Sequence, residues 1–425
     1  MYLRLVLVVA LMLLGSAAGA YGGSGAPTAT GLASAHRSAN APIQHVVFII
    51  QENRSFNNLF MGFKGARTQH YGYNKHGRKI ALKPLPLAQK WGIDHYSNAY
   101  FEDYDNGKLD GWDDEFACCG EPENFAYSYV QKSDSKTYWD MAEQYVLADE
   151  FFPSNFDGTF ISHQYAIAAY ANDEVNYPAG VWSCQGGPSD LIGTLSEGMV
   201  PVCQDYPTLG DELDEALLPW RYYVDTGNGS LYDAYAVIDH IYFGQDYARD
   251  VVHPPSQFIS DVGNGNLAAV SWVTPTFANS DDPGNDSASG PAWVASVVNA
   301  VGQSTYWDST AIFIMWDDWG GWFDPVPPVP LDADGSGFRV PLIGISAYAK
   351  SGYVSHVQYE TSSVLRFIED TFGLGQLAAS DARATDPGSD FFEFNQKPRR
   401  FHAFDATPPR SADRGASTRR LFGGN

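Results

Sequence analysis

Residues 46–51 read Val-Val-Phe-Ile-Ile-Gln and stop abruptly at Glu52, Asn53 and Arg54. A run of β-formers this short, with hardly a polar side chain, predicts a central strand buried on both faces, as in a parallel sheet covered by helices. The polar residues that follow fall at its carboxyl end, where open α/β sheets bind their ligands. Glu52 and Asn53 therefore stand where chemistry is expected, with a solvated loop after a core strand as the plain alternative.

The same pattern recurs along the chain. Strands are predicted at 146–152, 220–224, 266–273, 311–316 and 340–346, and helices around 138–145, 160–171, 211–218, 293–302 and 361–372. Strands alternating with helices predict an α/β fold with a mainly parallel sheet covered by helices on both faces. No internal repeat is found. One domain is expected over 41–375, with an aromatic insertion at about 61–124 that packs over the sheet edge or roofs a site.

The ends read differently. Arg4, the apolar stretch 5–14 and Ala18-Gly19-Ala20 have the three-part pattern of a secretory signal peptide over 1–20, followed by a flexible Gly/Ala/Ser/Thr leader over 21–40. That apolar core is too short to span a bilayer, and no later stretch is long enough. The expectation is an exported protein, secreted or periplasmic. Residues 376–425, with Arg399, Arg400, Arg410, Arg414, Arg419 and Arg420, read as a basic wrapping tail. A formal net charge of −24 argues against nucleic acid as a partner, because phosphate backbones are bound mainly by Lys and Arg. Of the cysteines, Cys184 and Cys203 are placed to close a loop around 185–201, adjacent Cys118 and Cys119 cannot easily bond each other, and the missing C-x-x-C argues against a zinc-thiolate site. Oligomeric state is not legible.

Asp317 and Asp318 end the 311–316 strand and repeat the logic of Glu52 and Asn53. If the two strands are neighbours, Glu52, Asp317 and Asp318 converge, too much like charge to stand unpaired. A divalent cation neutralises it, and oxygen donors without clustered His or Cys favour calcium, magnesium or manganese, with zinc and iron left open. Capping of the Gly320-Gly321 turn is the alternative for the aspartate pair alone. Thr159 follows a strand and the turn 153–158 at the start of a helix. It is either an N-cap or a nucleophile favoured by the helix N-terminus. A hydroxyl beside a metal can accept a phosphoryl group before water releases it. The equatorial oxygens then need donors, and Arg54, His95, His163 and His356 are candidates, although a single His is more often structural.

The segments HVVFIIQENRSF, SNFDGTFISHQY, GPAWVASVVNA, TAIFIMWDDWGGWFDPVPP and VPLIGISAYAKSGYVSHVQYETSSVLRFIEDTFGL resemble the bacterial phosphoesterase family of non-specific phospholipases C and acid phosphatases, of the alkaline-phosphatase superfamily, from about 41 to 374. The resemblance implies an alkaline-phosphatase-like fold and a metal-dependent phosphoric ester hydrolase. Glu52, Asp317 and Asp318 then match metal ligands, Asn53 a phosphate-contacting amide, and Thr159 the Ser/Thr nucleophile that also touches the metal. His95 resembles a phosphate-contacting or leaving-group-protonating histidine. Two positions depart from the family: Asp282 stands where His is common, and Asp324-Pro325-Val326 where many members read D-H-V-P-P. Asp282 either removes a phosphoryl donor, which shifts activity to acidic pH or to diesters, or adds a metal ligand. A phosphate-ester or phospholipid substrate is implied. The alternative is a catalytically weak homologue with a surface-binding or structural role. Sulfate-ester hydrolysis needs a modified Cys or Ser in a different motif, and none is visible.

Overall fold

Every residue of β1 (His45–Gln51) after His45 is buried, as are all of β6 (Thr310–Trp316) and β7 (Val340–Ser346), so these strands are covered on both faces as the apolar runs predict. Relative to exposure, each fully buried Val, Ile or Phe along them contributes roughly 1.5–3 kcal/mol. In this computed structural model residues 42–115, 120–225 and 230–408 are described. The expected signal peptide and leader, Cys118, Cys119, Arg410, Arg414, Arg419 and Arg420 lie outside the described residues.

The remaining strands of the central sheet are β2 (Val146–Phe152), β3 (Trp220–Tyr223), β4 (Val251–Val252), β5 (Val270–Val273), β8 (Tyr353–Ser355) and β9 (Tyr359–Glu360). They form one nine-stranded sheet of order β4-β3-β5-β1-β6-β7-β2-β8, with β9 also paired to β2. All pairings are parallel except those of β7, which runs antiparallel to both β6 and β2. The helices that follow the argument are α1 (Phe56–Phe60), α2 (Lys136–Gln144), α3 (Thr159–Ala168), α4 (Leu209–Glu215), α5 (Gln257–Gly263), α6 (Gly290–Gly302) and α7 (Thr361–Phe372). They pack as two groups, α2 and α5 against α6, and α4 and α7 against α3. No helix among the described residues is long and apolar enough to cross a membrane.

The aromatic insertion forms a second apolar cluster. Tyr100, Trp112, Phe125 and Tyr127 pack on Trp319, Trp322 and Phe323, the residues just after the β6 strand end. The stretch past 375 is less of a loose tail than its composition suggests. Phe391, Phe392 and Phe404 are buried in the main core, and Phe401 packs on Trp307. Cys184 and Cys203 form the expected disulfide.

Candidate active site

Gln51 pairs in register with Trp316, so Glu52 and Asp317 leave the sheet side by side. The chain turns at once. Asn53 has a φ of 57°, a left-handed conformation that asparagine tolerates better than most residues, and its backbone N–H donates to Asp317 Oδ1 at 2.8 Å. Gly320, at φ 63°, packs so closely on this turn that a Cβ would lie 1.9 Å from the Asn53 carbonyl oxygen. The glycine after the aspartate pair is therefore needed for close approach of two backbones, and its N–H also donates to Asp318 Oδ1 at 2.7 Å.

Thr159 comes from the far side of the sheet. β2 leads into the turn 153–158, and α3 then crosses back so that Thr159 and His163, four residues apart, share one face over the β1 and β6 ends. Gly158 is the N-cap and Thr159 the first helical residue, which settles against the capping role. Its hydroxyl is spent elsewhere. Oγ1 lies 3.4 Å from Asp318 Oδ2 and accepts from Asn53 Nδ2 at 3.1 Å. The Asn53 amide nitrogen also faces His95 Nε2 at 2.6 Å and Asp318 Oδ2 at 3.4 Å. His95 Nδ1 donates to the Ile93 carbonyl at 2.8 Å, which leaves Nε2 as the acceptor in the neutral ring.

Glu52, His163 and Asp317 form a second, adjoining cluster, all fully buried, with one donor atom from each within 4.8 Å of the others. The Tyr222 hydroxyl donates to the Tyr232 carbonyl at 2.6 Å, so toward His163 Nδ1, 3.2 Å away, it offers a lone pair. Nδ1 therefore carries the hydrogen, and Nε2 turns its lone pair to Glu52 Oε1 at 3.3 Å and Asp317 Oδ2 at 4.0 Å. Burial pulls the imidazole down to about 4, so the ring is neutral. Burial, then the charge of Asp317, holds Glu52 well above the usual carboxylate range. Glu52 Oε2 and Asp317 Oδ2 have no hydrogen-bond partner among the described residues. A proton on Glu52 relieves one contact, whereas a cation relieves all of them. Two carboxylates and one neutral imidazole nitrogen make a donor set that fits a divalent ion.

Asp282 follows Asp281 in the loop after β5. It is partly covered, and its carboxyl is pushed up to about 6, by burial first; His95 counteracts this and Asp317 adds to it. Its neighbour Asp281 is fully enclosed and accepts from Tyr138 Oη (2.8 Å) and Trp316 Nε1 (3.0 Å).

Two expected phosphate donors are placed elsewhere. Arg54 donates to the carbonyls of Asp281 and Leu87 and to Asn58, and stacks 4.8 Å over Trp322, so its guanidinium ties the β1 turn to the insertion. His356 pairs with Asp149 on β2 at 2.8 Å and is 63% exposed, in contrast to the buried cluster. His163, a candidate phosphate donor from the sequence, joins the carboxylates Glu52 and Asp317. Tyr222 and Gly320 were missed as site residues; the Gly320-Gly321 pair after two aspartates was the one visible signal for the latter.

Residues 43–375 match the model of the Phosphoesterase family. Phospholipase C A of Mycobacterium tuberculosis is 24% identical over 394 residues, covering 78% of this chain and 73% of that protein. Hemolytic phospholipase C of Pseudomonas aeruginosa is 24% identical over 404 residues, covering 78% of this chain and 53% of that protein. Non-specific phospholipase C1 of Arabidopsis thaliana is 23% identical over 391 residues, covering 78% and 67%. With the family model spanning the sheet, the Thr159 turn and both strand ends, the chain belongs to the Phosphoesterase family and is a phosphoric ester hydrolase.

Proposed function

We propose that this chain is an exported, metal-dependent phosphoesterase in which Thr159 is the nucleophile. The observation that carries the reading is the position of the Thr159 hydroxyl, held between Asn53 and Asp318 beside carboxylate oxygens that have no hydrogen-bond partner among the described residues. Thr159 Oγ1 forms the bond to phosphorus as the bond to the leaving oxygen breaks. Its proton passes to Asp318 Oδ2, which burial and the Asp317 charge hold above the usual carboxylate range and so make a ready acceptor. The α3 N-terminus and the Asn53 amide favour the negative charge of the transferring group. His95 in its protonated form delivers a proton to the leaving oxygen from Nε2. Water then attacks phosphorus, giving a proton back to His95 Nε2, as the bond to Thr159 Oγ1 breaks and Oγ1 regains its proton from Asp318. A divalent ion held by Glu52, His163 and Asp317, with Asp318 and Thr159 adjoining, would supply the positive charge that lowers the hydroxyl pKa and offsets phosphoryl charge.

The substrate is a phosphate ester or phospholipid, as for a phospholipase C or an acid phosphatase, and nucleic acid is not a partner. A weakly active homologue with a binding role is the second reading, favoured by Asp282, whose carboxyl repels a phosphate dianion when ionised. Hydrolysis of a chromogenic phosphomonoester and of a phosphocholine ester, from acidic to neutral pH, tests both. Turnover lost with a chelator and in Thr159→Ala supports the metal and nucleophile roles, and the preferred ester chooses the substrate class. No turnover with any added divalent ion sinks the enzyme mechanism and leaves the binding role.

A further inference from the structure

Thr159 and His95 reach the site from segments distant in sequence, and an interlock joins the two. Gly158, the residue before Thr159, lies against the histidine segment. A Cβ there would sit 3.1 Å from the Tyr96 ring and 3.3 Å from the His95 carbonyl oxygen, closer than ordinary van der Waals contact. The Tyr96 ring in turn stacks on the His95 imidazole, with centroids 5.4 Å apart.

Asp157 supplies the polar half of the joint. Its side chain is buried, and each carboxylate oxygen accepts one backbone N–H: Oδ1 that of Gly158 at 2.7 Å, Oδ2 that of Asn176 at 2.8 Å. Bonds to an ionised acceptor are the stronger kind. Asn176 holds a φ of 63°, a conformation that asparagine tolerates, and its side-chain Oδ1 accepts from the Ser97 hydroxyl at 3.0 Å. Ser97 opens the helix Ser97–Tyr104, two residues past His95. Hydrogen bonds thus run from the nucleophile turn through Asp157 and Asn176 to the base of the histidine segment. The turn is also fixed from within, Asp157 N–H donating to Asn155 Oδ1 at 2.8 Å and Asn155 Nδ2 to Ser162 Oγ of α3 at 3.2 Å.

We propose that Asp157 is a positioning residue for leaving-group protonation: by tying the Thr159 turn to the His95 segment through Gly158 and Asn176, it sets the spacing between the attacking oxygen and the nitrogen that protonates the departing one. The inference rests on the roles proposed above for Thr159 and His95. The attacking and leaving oxygens lie roughly in line through phosphorus, so the span between their two partners has to suit both partial bonds. The proton passes from His95 Nε2 to the leaving oxygen as that oxygen parts from phosphorus, and the Thr159 proton goes to Asp318. Asp157 exchanges no proton; it holds the geometry, and small misplacements are costly in rate.

Proton delivery matters for a basic leaving oxygen and little for one that departs as a stable anion. The test therefore reads turnover of the full chain, supplied with divalent ion, on ethyl phosphate and nitrophenyl phosphate and on ethyl and nitrophenyl phosphocholine. The ethyl-to-nitrophenyl ratio does not depend on how much of the protein is folded, so a loss of stability leaves it unchanged. His95→Ala should lower that ratio by about a hundredfold, and Asp157→Asn, which keeps the side-chain shape but loses one acceptor, by about tenfold. A lowered ratio in His95→Ala beside a wild-type ratio in Asp157→Asn overturns this inference and leaves the mechanism standing. An unaltered ratio in His95→Ala, or no turnover by the wild-type chain, overturns the mechanism and this inference with it. Should Asp157→Asn fail to fold, Ser97→Ala, at a partly exposed position, must lower the ratio by about threefold, and a wild-type ratio there overturns the inference equally.

Discussion

Asp317 and Asp324 lie on the same short stretch, W-D-D-W-G-G-W-F-D, and are equally buried, but only Asp324 has its counter-charge built in. Asp324 meets the buried Arg339 guanidinium at 3.1 Å and also accepts from the N–H groups of Asn57 and Val326. Arg339 stacks over Phe56 and donates to the Asp149 carbonyl, so the pair joins α1, β2 and the motif loop. Asp317 accepts an N–H on one oxygen, while the other has no hydrogen-bond partner among the described residues and lies beside Glu52 and His163. One motif thus contains a completed ion pair that holds the loop and an incomplete cluster that the loop presents. Buried charge without a partner is costly, and such groups are concentrated at functional sites.

The sharpest way to break this comparison is to neutralise each side. Asp317→Asn should lower turnover on a chromogenic phosphomonoester by about 10,000-fold, while the metal-stripped protein melts no lower than wild type because like-charge repulsion is relieved. Thr159→Ala should match that loss with metal binding retained. Asp324→Asn or Arg339→Met should do the opposite. Leaving one buried charge alone costs about 3–5 kcal/mol of stability by denaturant unfolding, with the kcat of the remaining folded protein within a few fold of wild type. Equal effects of Asp317→Asn and Asp324→Asn on both readouts would abolish the distinction.

A smaller effect is expected at Asp282. Its carboxyl titrates near 6, so it is neutral below that pH and repels a phosphate dianion above it. Phosphomonoester turnover should therefore fall as pH rises through about 6, and Asp282→His should restore about tenfold on the neutral side, with less gain on a diester. A pH profile unchanged by Asp282→His would remove Asp282 from the site.

The smallest effect lies away from the cluster. Glu369, buried in α7 beside Asp381 and Glu212, is pushed up to about 9, by burial first and then by Asp381. The unfolded chain loses this proton near 4.5 while the folded chain keeps it, so the contribution is complete below 4.5 and is lost as pH rises toward 9. Denaturant unfolding of Glu369→Gln across that window should have a shallower fall in stability with pH than wild type.

Much of the frame was legible because burial on both faces leaves an unmistakable mark. The runs at 46–51 and 311–316 gave both central strands, and their polar ends gave the strand-end carboxylates that the register brings together. The direction of β7 was not legible, since VPLIGIS is equally buried read either way. Residue type suggests a phosphate donor at Arg54 and His356, while their placement is decided by a carbonyl of the Asp281 loop and by Asp149, far apart in sequence. The place of His163 depends on Tyr222 of β3 supplying a lone pair to its other nitrogen, a contact between elements that no local pattern encodes. The left-handed turn at Asn53 was likewise hidden, although it aims the amide at Thr159 and His95 together.

The most direct test of the incomplete-cluster account is turnover of the metal-stripped wild-type chain on a chromogenic phosphomonoester during back-titration with divalent ions. The account predicts no turnover in the stripped chain and a saturable return as ion is added. Full turnover in a chain whose metal content is well below one ion per molecule would contradict it.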